Sequence, residues 1–270
     1  MTVIQAFILG IIQGATEFLP VSSSGHLVAT SALLNWQFSV EENFIFGTLV
    51  QWGTLLSVII YFWDDLGSIV RKTLTSLWQP NMFAEPEVRL GLYIVVASIP
   101  AGLAGLVLKD RVEAAFSSPR ATAYFLLFTA GLLIAAEQIG KRSRKIEEFT
   151  WSDALVMGVF QALALFPGVS RSGATITGGM SRHLERGAAA RFSFLVSVPI
   201  MLAAGLWTAK DIPALPDPGA FWLPLLAGFI SSAVVGYLAI KWLLGFLSEH
   251  PLSVFSYYLI PLSFILLIVV

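Results

Sequence analysis

The chain of 270 residues contains no cysteine, and only 12% of its residues are charged. The absence of cysteine excludes disulfides and thiolate metal sites. A soluble domain carries about twice this share of charged residues, whereas here 56% of the residues are hydrophobic. The net charge of −1 offers no basic surface, so no nucleic-acid partner is expected. Together these values predict an integral membrane protein built from α-helices.

Six apolar segments have the roughly 20 residues that a helix needs to cross a bilayer. They are predicted at residues 44–63, 90–108, 121–138, 192–209, 221–244 and 252–270.

A short polar pattern occurs twice, at residues 10–25 and again 148 positions later at residues 158–173. Aligned without a gap, the two copies are identical at 7 of 16 positions, which include a glycine, a glutamine and two serines. This similarity indicates a duplicated membrane fold, since duplicated halves with broken helices are a known way to build a polar site inside a membrane. The first repeat is placed at residues 1–140 and the second at residues 150–270, within a single membrane domain.

Each copy lies between two apolar arms that are too short to span. Residues 3–14 and 24–34 flank the first copy, and residues 154–165 and 172–181 flank the second. The arm at 3–14 is about 18 Å of helix, against a hydrocarbon core of about 30 Å. Pro20 and Pro167 interrupt the helices between the arms. We therefore predict two re-entrant helical hairpins. One hairpin plus three spanning helices in each half makes this an inverted-topology repeat.

Basic residues set the predicted orientation. The segment between the halves contains Lys141, Arg142, Arg144 and Lys145 and is expected in the cytoplasm. On this topology 11 of the 16 basic residues fall on cytoplasmic segments, 4 fall on outer segments, and Arg171 lies in the second hairpin. The hairpins then enter from opposite sides, so their tips can meet near the middle of the membrane.

Two ionisable residues in the hairpins indicate function, because charges inside a membrane are costly. Glu17 lies one helical turn after Gln13, and a carboxylate and an amide oxygen both suit a hard divalent cation. Arg171 in the second copy has the planar donor set that binds phosphate. Structural alternatives remain: Glu17 can cap a helix or pair with Arg171, and Arg171 can snorkel to the cytoplasmic side.

The first copy also contains hydroxyl groups close to an imidazole, in the run from Ser22 through Ser23 and Ser24 to Gly25 and His26. A serine is a candidate nucleophile, and histidine can act as a general acid or base near neutral pH. Alone, this pair is a weak signal, because serine and glycine also cap membrane helices.

The two copies differ at the positions where chemistry would take place. Glu17 aligns with Leu165, and Ser23 aligns with Arg171. His26 aligns with an alanine. This divergence predicts one asymmetric site and not two equivalent ones.

Two motifs resemble the signatures of the bacterial undecaprenyl pyrophosphate phosphatases. They read Gln13-x-x-x-Glu17-Phe-Leu-Pro-Val-Ser-Ser-Ser-Gly-His26 and Pro167-Gly-x-Ser170-Arg171-Ser172-x-x-Thr175, and the resemblance covers the whole chain. Many family members have Glu where this chain has Gln13, a difference that is expected to weaken a metal contact. Ser24 stands where Thr is common, which preserves the hydroxyl.

The resemblance implies hydrolysis of undecaprenyl pyrophosphate to undecaprenyl phosphate and inorganic phosphate. This reaction recycles the lipid carrier for peptidoglycan synthesis, and overproduction of the enzyme gives bacitracin resistance. The resemblance also implies a divalent cation, Mg²⁺ or Ca²⁺, and a multi-pass location in the bacterial plasma (inner) membrane with the site facing the outer, periplasmic side. The expected partners are the polyprenyl pyrophosphate lipid and membrane lipids, and a homodimer is left open.

The catalytic residues would be Glu17, Ser23, His26 and Arg171, with Glu17 and Gln13 holding the metal. Ser23 would attack the terminal phosphorus and His26 would handle its proton, although direct attack by water fits the same residues. The remaining substrate-binding candidates are hydroxyl and glycine residues at the hairpin tips, namely Ser22, Ser24, Gly25, Ser170, Ser172, Gly173 and Thr175.

The competing function is a lipid-phosphate carrier or flippase, because transporters also use inverted repeats with broken helices.

Overall fold

The computed structural model describes residues 1–76, 81–116 and 118–269. Within these ranges the chain forms twelve α-helices and no strand. The helices are α1 (Val3–Glu17), α2 (Ser23–Leu33), α3 (Val40–Leu49), α4 (Gln51–Tyr61), α5 (Trp63–Ser76), α6 (Pro86–Phe116), α7 (Pro119–Ile139), α8 (Trp151–Leu163), α9 (Arg171–Ser181), α10 (Arg186–Thr208), α11 (Pro218–Glu249) and α12 (Ser253–Val269). The predicted all-α membrane fold is confirmed.

Five helical segments are long and apolar enough to cross a membrane. They are Val40–Tyr61, Pro86–Val112, Pro119–Ile139, Arg186–Ala214 and Pro218–Glu249. The sixth predicted span corresponds to α12, whose 17 described residues make about 26 Å of helix. The count of six spans therefore stays a prediction.

The region before the second span is helical. Residues 63–76 form the amphipathic helix α5, in which Ile69 is buried while Val70 and Leu74 are exposed. The first span is also divided, since α3 and α4 meet at Val50. Ser232 of α11 donates a hydrogen bond to the Val50 carbonyl at 2.9 Å, which satisfies an acceptor at this irregular point.

The four hairpin arms begin with the same caps in both copies. Thr2 and Thr150 each form a capping box with the residue three positions later, Gln5 and Asp153 respectively. Ser22 and Ser170 cap the returning helices α2 and α9 by accepting from glycine N–H groups. The predicted repeat thus extends to the local interactions that start each helix.

Ion pairs show which helix ends share a face. The amino group of Met1 lies 2.6 Å from Glu42, so the first hairpin opens where α3 begins. Arg182 at the end of α9 lies 2.9 Å from Asp153 near the start of α8, so the second hairpin begins and ends at one face. Asp65, beyond the far end of α4, pairs with Arg191 near the start of α10 at 2.8 Å. The two hairpins therefore open toward opposite ends of the α3–α4 segment.

The first arm of each hairpin packs closely against the other half of the chain. A Cβ on Gly10 of α1 would collide with Gly228 and Ser231 of α11. A Cβ on Gly158 of α8 would lie 2.6 Å from the Ala97 carbonyl oxygen of α6. These two aligned glycines let the backbones approach, which is the usual basis of helix association in membranes.

Replacing Gly158 with alanine should destabilise the protein by about 1–3 kcal/mol, because the new methyl group meets backbone that has no room to move. The measurement is the thermal unfolding temperature in detergent. Gly131→Ala is the matched control, since a Cβ at this exposed position of α7 has nothing within 4 Å. Equal unfolding temperatures for the two variants would contradict the proposed close contact.

Candidate active site

The two hairpin tips are hydrogen-bonded to each other at the centre of the molecule. Ser22 of the first tip accepts from the backbone N–H of Gly168 in the second at 3.1 Å. Ser172 donates to the carbonyl of Leu19 at 2.9 Å. Gly168 has a φ of +101°, and a side chain there would collide with the Thr122 carbonyl of α7. Glycine is therefore required where the second tip turns against α7.

Hydroxyl groups satisfy the irregular backbone of the second tip. Thr129 of α7 donates to the Gly168 carbonyl at 2.9 Å and accepts from the N–H of Ser170 at 3.0 Å. Ser170 in turn accepts from the N–H of Gly173 at 3.0 Å. Thr175 and Ser193 are 2.5 Å apart through their hydroxyls. These bonds hold a non-helical turn in the protein interior, where unpaired backbone groups would be costly.

Glu17 links the charged residues of both copies. Its Oε1 accepts from Nη2 of Arg171 at 3.0 Å, and its Oε2 accepts from the Ser23 hydroxyl at 2.5 Å. Oε2 also accepts from the Gln13 amide at 2.6 Å. The side chains of Glu17 and Arg171 are only 4% and 13% exposed. The ion pair thus matches the structural alternative for these residues, but it also places a carboxylate directly at a serine hydroxyl.

The surroundings of this cluster favour an anion. Helices α2 and α9 both begin at the tips, which are hydrogen-bonded to each other, so the positive ends of their dipoles lie close together. Arg171 is the first residue of α9 and adds a full positive charge. A phosphate group can be bound there by a planar guanidinium and backbone donors together.

A cavity of about 480 Å³ leads to the cluster. Six of the predicted site residues line its inner end, namely Glu17, Ser22, Ser23, Ser24, Ser170 and Arg171. The other predicted residues do not line it: Gln13, Gly25, His26, Ser172, Gly173 and Thr175 are buried within the hairpins. They lie within the hairpins, next to the residues that line the cavity.

His26 does not contact Ser23, which differs from the predicted pairing of the two side chains. Nδ1 of His26 lies 2.7 Å from the Ser22 carbonyl oxygen, and Nε2 lies 2.7 Å from the hydroxyl of Tyr258. The physical reason is that the ring stacks on Tyr258, with the centroids 5.6 Å apart. The group that the structure places at the Ser23 hydroxyl is Glu17.

Other polar residues line the cavity that the sequence motifs did not indicate. They are Thr48 and Gln51 of the divided first span, Lys109 of α6 and Thr208 of α10. The only signal in the sequence was their polarity within or beside predicted spans, which in membrane proteins marks a lined cavity.

A divalent cation fits the inner end of the cavity in part. The described residues contain no group of three or more His, Asp or Glu side chains placed around a common point. However, Oε1 of Gln13 is buried and has no hydrogen-bond partner, while the amide nitrogen faces Glu17. One carboxylate and one free amide oxygen suit Mg²⁺, which takes few protein ligands and completes its shell with water and phosphate oxygens.

The fold and the cavity define a class of protein, a helical membrane protein in which the tips of two helical hairpins hold a buried Glu17–Arg171 pair at a cavity. The sequence model of the bacitracin resistance protein BacA matches residues 6–265 of the chain. The chain belongs to the BacA family.

Several relatives carry the name undecaprenyl-diphosphatase. The relative from Thermobifida fusca is 38% identical over 270 residues, covering 100% of this chain and 91% of its own. The relative from Anaeromyxobacter sp. strain K is 44% identical over 259 residues, covering 94% and 87%. The relative from Corynebacterium striatum is 41% identical over 268 residues, covering 99% and 94%. Each of these matches covers at least 94% of this chain.

Replacing Gln13 with Glu should strengthen cation binding, because it places two carboxylates within hydrogen-bond distance of each other. Their repulsion is relieved when a cation binds between them or when they share a proton. We expect Mg²⁺ to raise the unfolding temperature of Gln13→Glu at a concentration about tenfold below that needed for the wild type. Gln161→Glu is the control, because the aligned Gln161 is equally buried but donates to the Ala97 carbonyl, whereas Gln13 donates to the Glu17 carboxylate. An equal response of all three proteins to Mg²⁺ would remove Gln13 from the cation site.

Proposed function

We propose that this protein hydrolyses undecaprenyl pyrophosphate to undecaprenyl phosphate and inorganic phosphate, and so recycles the lipid carrier for peptidoglycan synthesis. The observation that carries the proposal is the contact of Ser23, Glu17 and Arg171 at the closed end of a cavity whose walls are mainly apolar. A nucleophile, a base and a phosphate-binding cation meet at one point. The names of the relatives and their bacitracin resistance family support the same reaction.

The cavity has a polar end and an apolar wall, which match the polar head and the apolar chain of a pyrophosphate lipid. Its inner end is polar, while helices α6 and α10 supply a wall of small residues that includes Gly102, Gly105, Ala203 and Ala204. The pyrophosphate would enter the polar end and the first isoprene units would lie along this wall. The rest of the isoprenoid chain of the lipid would remain in the bilayer, so its apolar surface would not be exposed to water.

The bonds at Ser23 suggest the chemical steps. The Ser23 oxygen attacks the terminal phosphorus while its proton passes to Oε2 of Glu17, and the bond to the lipid phosphate breaks. Glu17 passes this proton to the departing lipid phosphate and then accepts a proton from the water molecule that attacks the phosphoserine. The Ser23 oxygen takes that proton from Glu17 as its bond to phosphorus breaks, which releases inorganic phosphate and restores both the serine and the carboxylate. Direct attack by water with Glu17 as base would give the same products.

Arg171 and the N-termini of α2 and α9 would offset the negative charge on the transferred phosphoryl group. Their direction is fixed before the substrate arrives, because the two tips are hydrogen-bonded together. A divalent cation, held by Glu17 and Oε1 of Gln13, would supply further charge neutralisation at the pyrophosphate oxygens. Glu17 would then exchange part of its contact with Arg171 for the cation.

We further propose that the cavity faces the outer, periplasmic side of the bacterial plasma membrane. Its lining includes Phe44 of α3 and the last residues of α6 and α10, Phe116 and Thr208. The arginines that bond to Glu137 and Asp153 lie at the opposite face, where the second hairpin opens. Basic ends favour the cytoplasm, which leaves the cavity outside. Bacitracin sequesters the pyrophosphate lipid on that side, so faster hydrolysis there would give resistance.

The test is phosphate release from undecaprenyl pyrophosphate by the purified protein in detergent, with and without EDTA, alongside Arg171→Ala. We expect release that EDTA suppresses and that falls by at least about a thousandfold in the variant, because a buried transition-state cation is lost. Lys141→Ala, in the connecting segment, is the control and should match the wild type. The absence of release from folded wild-type protein across several divalent cations would overturn the proposal and favour a lipid-phosphate carrier.

Ser23→Ala should lower kcat by about three orders of magnitude or more if the serine is the nucleophile, because attack by water must then replace a covalent step. Ser24→Ala is the matched control, since Ser24 lines the same cavity but its hydroxyl lies 3.3 Å from that of Ser22 and not at Glu17. Near-normal turnover of Ser23→Ala would show that water attacks directly.

Gly105→Leu should raise KM about tenfold with little change in kcat, because the added side chain occupies the wall proposed for the lipid and touches none of the reacting groups. The fold can accept the change, since a Cβ at Gly105 meets only Leu165 at 3.9 Å. Gly131→Leu, on the exposed side of α7, should leave KM unchanged. Unaltered kinetics of Gly105→Leu would place the lipid elsewhere.

A further inference from the structure

The contacts of the His26 ring determine which nitrogen carries the proton. Nδ1 lies 2.7 Å from the carbonyl oxygen of Ser22, which can only accept, so Nδ1 is the donor. In the neutral ring Nε2 then has the lone pair, and it accepts from the Tyr258 hydroxyl at 2.7 Å. Neither nitrogen is left for Ser23, whose hydroxyl bonds to Glu17.

The carbonyl that His26 binds belongs to the most constrained residue of the first tip. Ser22 has a φ of +69°, in the left-handed region that side chains other than glycine rarely adopt. Its hydroxyl holds Gly168 of the other hairpin, and the next residue in the chain is Ser23. Such a conformation persists only when the surroundings impose it, and strain of this kind collects at functional sites.

Tyr258 comes from a part of the chain that none of the motifs includes. It lies on α12, 232 positions after His26, and its ring is stacked on the imidazole at an interplanar angle of 17°. The hydroxyl donates to the nitrogen that the Ser22 carbonyl leaves unprotonated, and the stacking fixes the plane of the ring. Helix α12 is itself tied to α7 by Ser256, which donates to the Ala130 carbonyl at 2.9 Å.

We propose that Tyr258 is a positioning residue for the reaction, which acts through His26 to hold Ser22 in its strained turn and thereby aims the Ser23 hydroxyl at Glu17. In this arrangement His26 orients the turn and does not carry the proton of Ser23. The inference rests on the proposed phosphatase function for its kinetic test, but its spectroscopic test does not require activity.

Tyr258→Phe keeps the ring and removes only the hydroxyl. It should lower kcat about tenfold with KM unchanged, the loss expected when one hydrogen bond that orients a reacting group is removed. Tyr257→Phe is the matched control, because the neighbouring Tyr257 is 73% exposed, and it should leave both constants unchanged. A normal kcat for Tyr258→Phe would overturn the proposal.

Two substitutions of His26 separate positioning from proton transfer. The amide nitrogen of asparagine takes about the place of Nδ1 and can donate to Ser22, whereas that of glutamine takes about the place of Nε2. We expect His26→Asn to retain a kcat within about tenfold of the wild-type value. The kcat values of His26→Gln and His26→Ala should both fall well below that of His26→Asn. Equal inactivity of His26→Asn and His26→Ala would assign a proton-transfer role to the ring.

The tautomer is measurable whether or not the protein turns out to be a phosphatase. The chain has three histidines, so ¹⁵N-histidine labelling gives few signals, and the His26→Asn spectrum identifies the one of interest. We expect His26 as the Nδ1–H tautomer at pH 7.5, with an Nε2 resonance that moves in Tyr258→Phe and not in Tyr257→Phe. An Nε2–H tautomer, or a spectrum unchanged in Tyr258→Phe, would overturn the proposal independently of any activity.

Discussion

The ion pair between Glu17 and Arg171 is the interaction on which the rest of the site depends. Each residue comes from a different hairpin, and each is almost fully buried. A single charge at such a depth would be costly, and removal of one partner would leave the other uncompensated. Neither hairpin can therefore place its charge in the interior without the other. This requirement explains why both tips end at the same point and why Ser22 and Ser172 bond across the contact.

The hydroxyl residues at the hairpin tips satisfy backbone groups that the contact between the tips leaves unpaired. Two helices stop and two begin inside the molecule, which leaves backbone groups without helical partners. Ser22, Ser170 and Thr129 bind several of these groups, and glycine at 168 permits the positive φ. The N–H groups that remain at the starts of α2 and α9 are the ones that favour a phosphate. The irregular backbone is thus both the structural cost of the site and its means of binding an anion.

Much of this arrangement could be predicted from the sequence, because it depends on local signals. The spacing of the two copies predicted the hairpins, and the polarity of Glu17 and Arg171 predicted that they would belong to one site. The amphipathic helix α5 is not among the predicted segments, because its 14 residues are too few and too charged for a membrane span. The direction of the His26 ring could not be predicted, since it depends on Tyr258, which is 232 positions away and belongs to no motif.

The differences between the aligned copies support the proposal of one asymmetric site. Gln13 and Gln161 are both buried and both have an unpaired amide oxygen, but their nitrogens bind different partners. Gln13 donates to Glu17, whereas Gln161 donates to the Ala97 carbonyl of α6. Leu165, which replaces Glu17 in the second copy, lines the cavity as an apolar residue. The second copy thus has no acid at this position and supplies the cation and part of the wall. This division between the copies is what a single site with one charged end and one apolar approach requires.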